Sequence, residues 1–192
     1  NDSLIISSGF NIKFWGLSYT NKNEFIVEEK AFIKEEGLNE ILAIAVTSKG
    51  DRVISGGTKS NVKISIWDIS QVNFNEKKLQ NEQNINKKPF AGEAFILDRH
   101  SKAINALDVS PNDKYLVSGS SDRKIVLWDL DGYKFLLEFI EDHEINVLKY
   151  FPNGNFLLSG SGDAVIRVWD MVHNNLIGKM EGHDKAVKSL AI

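Results

Sequence analysis

A short sequence segment with a tryptophan next to its end recurs four times in this chain, and no other feature restricts its fold as much. Each copy holds one of the four tryptophans of the protein, and the last two, Trp128 and Trp169, lie 41 residues apart. Self-similarity at this spacing is typical of architectures that stack one supersecondary unit several times. The four segments are Leu4–Gly16, Arg52–Asp68, Tyr115–Asp129 and Phe156–Asp170.

Turn residues divide the third copy into four short β-prone runs. The cluster Ser110-Pro111-Asn112-Asp113 predicts a turn, because proline presets φ and Asn and Asp side chains bond their own backbone. Lys124–Trp128 alternates polar and apolar residues, which is typical of a half-buried strand. One repeat is therefore four strands, named a to d in chain order. They are predicted at Ala103–Val109, Tyr115–Ser118, Lys124–Trp128 and Lys134–Ile140.

The same order of strands can be followed in the other copies, with pieces absent at both ends. The first copy has no strand a, and Lys185–Ile192 is predicted to be a strand a that stands alone. Because an unpaired strand edge is a template for pairing, we expect Val187, Leu190 and Ile192 to be buried against a β-sheet, either in the first blade or in a second copy. The fourth copy gives strands at Glu144–Phe151, Phe156–Ser159, Val165–Trp169 and Asn175–Met180, and the second gives strands at Glu40–Val46, Arg52–Ser55, Lys63–Trp67 and Ala94–Leu97.

These repeats resemble the WD40-repeat family (WD-repeat, G-protein-beta-like) of β-propellers, in which each sequence repeat ends in Trp-Asp at a period of about 40–45 residues. The resemblance covers essentially the whole chain. It implies an all-β WD40 β-propeller with about four blade-equivalents. Because propellers have about 4–8 blades, we expect a piece of a larger, seven- or eight-bladed ring. A closed four-bladed monomer and a ring completed by a second chain are the alternatives.

The blade boundaries follow from the repeats: 1–36 for the first blade (strands b to d), 37–98 for the second, 99–140 for the third, 141–181 for the fourth, and 182–192 for strand a of the next. The second blade contains an extra stretch between strands c and d, residues 71–89, rich in Asn, Gln, Lys and Glu. Such a composition cannot bury enough apolar surface to offset the entropy of ordering. We expect a flexible, solvated insertion.

Composition restricts the class of partner. The net charge of −3 argues against a nucleic-acid partner, which usually needs a basic face. No apolar run approaches the roughly 18 residues of a membrane span. Cysteine is absent, which fits a reducing compartment. We therefore expect a cytoplasmic protein, with the nucleus or the cytoskeleton as alternatives. The start, Asn1 rather than Met, suggests an internal fragment or a processed end.

The resemblance also implies a buried polar network in each blade. In the family, a His before strand a, a Ser or Thr on strand b, an Asp in the b–c turn and a Trp on strand c are linked. The second copy carries Gly37 and Asn61 at the His and Asp positions, the first carries Gly9 at the Asp position, and both blades are expected to be looser. The fifth copy retains only His183. The full sets are His100, Ser118, Asp122 and Trp128 in the third copy, and His143, Ser159, Asp163 and Trp169 in the fourth.

Other chemistries are weakly indicated. Ser, His and Asp together could suggest a hydrolase, but a nucleophile must be exposed beside oxyanion donors, and here the trio recurs with a Trp covering it. The glycines of Ser159–Asp163 precede a β-strand, so they predict a b–c turn rather than a phosphate loop. The histidines lie one blade apart and cysteine is absent. We expect neither a metal nor a cofactor.

The sequence therefore predicts a non-catalytic scaffold whose loops contact other proteins or peptides, and no membrane. Two alternatives remain: a regulatory module of a larger enzyme or motor assembly whose catalytic domain lies elsewhere, and an intrinsic hydrolase. By the resemblance, the contact face is built from d–a and b–c loops. Its candidate residues are Ser101, Lys102, Ser121, Arg123, Glu144, Asn146, Asp184 and Lys185.

Overall fold

The structure is a computed structural model that describes residues 3–19, 25–33, 38–59, 62–72 and 95–192. The regular secondary structure in these ranges is entirely β, with fifteen strands in four antiparallel sheets. The predicted all-β class and the four-stranded propeller blade are thereby confirmed. In the same ranges no helix has the length and apolarity needed to cross a bilayer.

Each sheet is a meander in chain order. Strands β1–β3 form a three-stranded first blade, and β4–β7, β8–β11 and β12–β15 form four-stranded second, third and fourth blades. The strands are β1 Ser3–Ser8, β2 Ile12–Tyr19, β3 Phe25–Ile33, β4 Leu38–Val46, β5 Arg52–Lys59, β6 Ile64–Asp68, β7 Phe95–Leu97, β8 Ile104–Val109, β9 Tyr115–Ser120, β10 Lys124–Asp129, β11 Lys134–Ile140, β12 Ile145–Tyr150, β13 Phe156–Ser161, β14 Ile166–Asp170 and β15 Asn175–Met180.

The apolar core lies between blades rather than within them. One cluster joins the second and third blades and includes Ile54 and Trp128, and another joins the third and fourth and includes Ile125 and Trp169. A third joins the first and second around Phe14. A single blade is two-faced and buries neither face alone, so each depends on its neighbours.

A glycine on strand b lets the next blade approach closely. A Cβ added to Gly56 would lie 2.8 Å from Ile104 of the third blade, and one added to Gly119 would lie 2.5 Å from Ile145 of the fourth. The same relation holds between Gly160 and Val187, at 2.6 Å. Strand-a side chains therefore occupy the space that a larger strand-b residue would fill.

One sequence expectation about strands was wrong. Residues 182–192 contain no strand. Strand a in the complete blades pairs with the strand b that follows it, whereas residues 182–192 pair with no strand among the described residues.

Val187 nevertheless packs where a strand-a side chain belongs. It is buried, and its amide donates to the Ser161 carbonyl of the fourth blade at 3.1 Å. Leu190 is half-buried and Ile192 is 54% exposed. The prediction that all three residues are buried against a sheet therefore holds for Val187 alone, and its contact is with the fourth blade, not with the first blade or a second copy as expected.

Most of the polar insertion 71–89 lies outside the described residues, as do Gly37 and Asn61. The start of the insertion differs from the expected solvated loop. Val72 packs partly buried against the cluster between the first and second blades, and its amide donates to the Ile69 carbonyl at 3.0 Å.

Candidate functional site

One hydrogen bond, from a strand-c tryptophan to a strand-b serine, recurs in every blade. Its length is 2.8 Å in the first blade, 3.4 Å in the second, 2.8 Å in the third and 2.9 Å in the fourth. The bond satisfies an indole N–H that would otherwise be buried without an acceptor. The pairs are Trp15–Ser7, Trp67–Ser55, Trp128–Ser118 and Trp169–Ser159.

In the third blade the structure brings the four expected residues together. His100 Nδ1 lies 2.9 Å from Asp122 Oδ2, and His100 Nε2 lies 2.8 Å from Ser118 Oγ. A carboxylate only accepts, so Nδ1 carries the proton and Nε2 accepts from the serine hydroxyl. Ser118 then accepts from Trp128, so each of these four side chains has a hydrogen-bond partner.

The aspartate of this network is held ionised. Burial acts to raise the pKa of Asp122, but hydrogen bonds from His100 and from the Ser101 amide outweigh it and lower the pKa to about 2. Its side chain is only 4% exposed. Asp122 thus joins the d–a loop to the b–c turn.

The fourth blade builds its network from different residues. Ser159 donates to Glu141 Oε1 at 2.5 Å while accepting from Trp169. Arg167 Nη1 lies 2.9 Å from Glu141 Oε2 in an ionic contact without hydrogen-bond geometry. Arg167 Nη2 contacts Asp163 Oδ2 at 2.5 Å. A buried arginine therefore bridges two carboxylates where the third blade has a direct His–Asp bond.

Placing His143 in this network was wrong. His143 is exposed, and Glu141 occupies the position of His100. A signal was present in the sequence: Glu141 lies four residues before Ile145, as His100 lies four before Ile104. Counting back from the buried strand-a residue identifies the position, whereas choosing the nearest His does not. Arg167, at the position of Val126, was also missed.

The carboxylates of the fourth blade have opposite electrostatic environments. Burial raises the pKa of Glu141, whereas the hydrogen bond from the Arg167 guanidinium holds the pKa of Asp163 well below its usual range. Asp163 also accepts from the Ser161 hydroxyl and from the Val165 amide. Asp163 is thus the firmly ionised partner of Arg167.

A polar groove of about 670 Å³ runs beside the strands a. It crosses the second, third and fourth blades and reaches the segment after β15. The sequence identified Lys102, Ser121, Glu144 and Asn146 but missed the other three lining residues. The groove is lined by Leu42, Lys102, Asn105, Ser121, Glu144, Asn146 and Lys188.

The remaining partner-binding candidates lie on loops outside this lining. Ser101, Arg123, Asp184 and Lys185 are exposed. Arg123 occupies the left-handed region at φ 72°, as Ala164 does at φ 66° in the equivalent b–c turn. His183, four residues before Val187, is also exposed.

Comparisons with known proteins agree with this geometry. The family model described as WD domain, G-beta repeat matches residues 93–129 and 134–170. The crystal structure of RRP9 WD40 repeats superposes with a TM-score of 0.61 at 20% identity, covering 76% of this chain and 40% of that one.

Among curated proteins, Protein HIR1 of Eremothecium gossypii is 35% identical over 47% of this chain and 10% of its own length. DmX-like protein 1 of Mus musculus is 26% identical over 74% of this chain and 4% of its own length. Protein HIRA of Dictyostelium discoideum is 29% identical over 56% of this chain and 9% of its own length. The chain thus spans about a tenth or less of each of these relatives. Residues 93–129 and 134–170 are thus matched as WD40 repeats, and the fold is that of a WD40 β-propeller.

Proposed function

We propose that this chain is a non-catalytic scaffold that binds another protein or a peptide through the loops and the groove beside its strands a. The observation that carries the proposal is the polar groove, which lies between d–a and b–c loops that the buried networks of the third and fourth blades tie to the strands. Rigid strands that position variable loops are how repeat folds present binding surfaces.

The geometry of the Ser–His–Asp set argues against the hydrolase alternative. Ser118 and Ser159 are completely buried, and each accepts a hydrogen bond from a tryptophan. A nucleophilic serine must reach a substrate carbonyl beside oxyanion donors. These hydroxyls are instead used to connect strands.

Site-specific photocrosslinking in an extract of the source organism tests the proposal. A benzoylphenylalanine replaces Ser101, Arg123 or Asp184 near the groove, and Lys114, Asn153 or His173 in a–b and c–d turns as matched controls; all six residues are exposed. We expect protein adducts from the first set and few from the second. Adducts that are equal in both sets, or that arise mainly from the controls, would contradict the proposed face.

Three further points remain proposals. Completion of the ring, by more of the polypeptide or by a second copy, is tested by native mass spectrometry of this chain. A role as a module of a larger enzyme or motor assembly is tested by the full reading frame. The cytoplasmic location is tested by cell fractionation.

A further inference from the structure

Four equivalent side chains form the floor of the groove. They are Leu42, Asn105, Asn146 and Lys188. The first three follow directly after strand-a residues that are buried between blades, Ile41, Ile104 and Ile145, and point the other way because side chains alternate along a strand. Lys188 follows Val187, which is buried on the fourth blade.

The two asparagines differ in their hydrogen bonding. Asn105 Nδ2 donates to Ser121 Oγ at 3.0 Å and to the Ile145 carbonyl at 2.9 Å. Asn146 Nδ2 is buried and has no partner among the described residues. The cause is local: Gly162 stands where the third blade has Ser121, so the hydroxyl acceptor is missing.

Glu144, the one anion among the described residues of the lining, is turned toward that glycine. A Cβ added to Gly162 would lie 2.6 Å from Glu144 Oε1, so the carboxylate lies against the b–c turn. Within the described ranges, Lys102 and Lys188 form no ion pair, and the Lys188 ammonium donates only to Asn146 Oδ1 at 2.9 Å. The groove therefore offers two lysine ammonium groups that pair with no carboxylate of the described residues.

We propose that the groove binds an acidic peptide segment, whose carboxylate side chains are held between Lys102 and Lys188. The proposal rests on the scaffold function above and specifies its partner. Ammonium–carboxylate hydrogen bonds are stronger than neutral ones, and complementary charge at a groove both steers encounter and selects among partners. The protein as a whole has a net charge of −3, so a locally cationic groove is a selective feature.

Fluorescence anisotropy of this chain with a labelled glutamate-rich peptide is the test. Matched glutamine-rich and lysine-rich peptides are expected to bind at least about tenfold more weakly, and the affinity for the acidic peptide is expected to fall as NaCl rises from about 50 to about 200 mM. Lys102→Glu combined with Lys188→Glu should weaken binding about tenfold. Lys102→Gln with Lys188→Gln repeats the test without charge reversal, and circular dichroism verifies that each variant folds.

Two further variants separate site binding from general attraction. Glu144→Gln removes the competing anion and should strengthen binding a few-fold, which a purely structural role for Glu144 would not produce. Lys114→Glu, at an exposed position in an a–b turn, should leave the affinity unchanged. Three results would overturn the proposal. Lys114→Glu could weaken binding as much as the paired lysine variant, or the chain could prefer the lysine-rich peptide. The bound acidic peptide could also be displaced by single-stranded nucleic acid and not by unlabelled acidic peptide.

The outcomes also distinguish this inference from the proposed function. If the acidic peptide fails to bind while photocrosslinks still concentrate near the groove, the scaffold function stands and the acidic partner is wrong. If the crosslinks do not concentrate there, both fail.

Discussion

The carboxylate of Glu141 occupies in the fourth blade the place that the imidazole of His100 occupies in the third. Each accepts a hydrogen bond from the strand-b serine that also accepts from the tryptophan. A carboxylate cannot donate to a second carboxylate, so the exchange requires a cation between Glu141 and Asp163. Arg167 supplies it, contacting both carboxylates. The same clamp is thus made by two different sets of charges.

Removing Arg167 alone should destabilise the chain strongly. Arg167→Val introduces the residue that the third blade has at the equivalent position, Val126, but leaves Glu141 and Asp163 without their cation. Breaking a buried ion pair costs about 3–5 kcal/mol. Adding Glu141→His should recover much of this loss, because the double variant rebuilds the His–Asp bond. Urea denaturation of the wild type, both single variants and the double variant measures the coupling. Additive losses would contradict the equivalence of Glu141 and His100.

Asp122 should make the third blade sensitive to acid. Its pKa falls from 3.8 to about 2 on folding, so its stabilising contribution is present above pH 3.8 and is lost as the pH falls toward 2. The shift corresponds to about 2 kcal/mol. The stability difference between the wild type and Asp122→Asn should therefore shrink by about that amount between pH 5 and pH 2. A difference that stays constant over this range would count against an ionised, hydrogen-bonded Asp122.

Periodic features of the chain were predictable from the sequence, and compensating substitutions were not. Alternation and turn chemistry located β8–β11 and β12–β15 to within about two residues, because each strand begins or ends beside a turn cluster. The Glu141–Arg167 exchange was missed because the two residues lie 26 positions apart in the sequence. Either residue alone looks like an ordinary surface charge, and only their contact reveals the role.

The lining of the groove, too, was only partly predictable from the sequence. Its loop residues Lys102, Ser121 and Glu144 could be chosen by their place in the repeat, but Asn105 and Lys188 lie on or near a strand and look like ordinary solvent-facing residues. Their convergence depends on how neighbouring blades are packed. The missing acceptor for Asn146 likewise depends on Gly162, 16 residues further along the chain.

Gly119→Ala should destabilise the interface between the third and fourth blades. The added methyl would lie 2.5 Å from Ile145 Cγ2 and 3.1 Å from Leu148 Cδ1, both in a packed cluster. Overpacking of this kind costs about 1–3 kcal/mol. Gly178→Ala on β15 is the matched control, since its methyl would meet nothing closer than 3.9 Å. Thermal unfolding of the two variants compares them, and equal melting temperatures would show that strand-b glycines are not required for close approach.

Trp169→Ala should cost about 3–5 kcal/mol, the range for deleting a large buried aromatic. Trp169 is 6% exposed, packs on Phe139 with ring centroids 4.7 Å apart, and donates to Ser159. Val172→Ala, at a position that is 62% exposed, is the control. Guanidinium denaturation gives both values. A Trp169→Ala protein with nearly the wild-type midpoint would mean that the indole does not clamp the blade.

Val187 and Ile192 should respond differently to shortening, although both were expected to be buried. Val187→Ala removes two methyl groups from a buried side chain whose Cγ1 lies over Gly160, and at about 0.8 kcal/mol for each buried group the loss is about 1–2 kcal/mol. Ile192 is 54% exposed, so Ile192→Ala should leave the stability almost unchanged. Chemical denaturation of both variants distinguishes packing of Val187 alone on the fourth blade from a strand formed by residues 185–192 against another sheet. If residues 185–192 instead formed a strand against another sheet, the two substitutions would cost comparable amounts, and the contact of Val187 with the fourth blade would not describe the protein in solution.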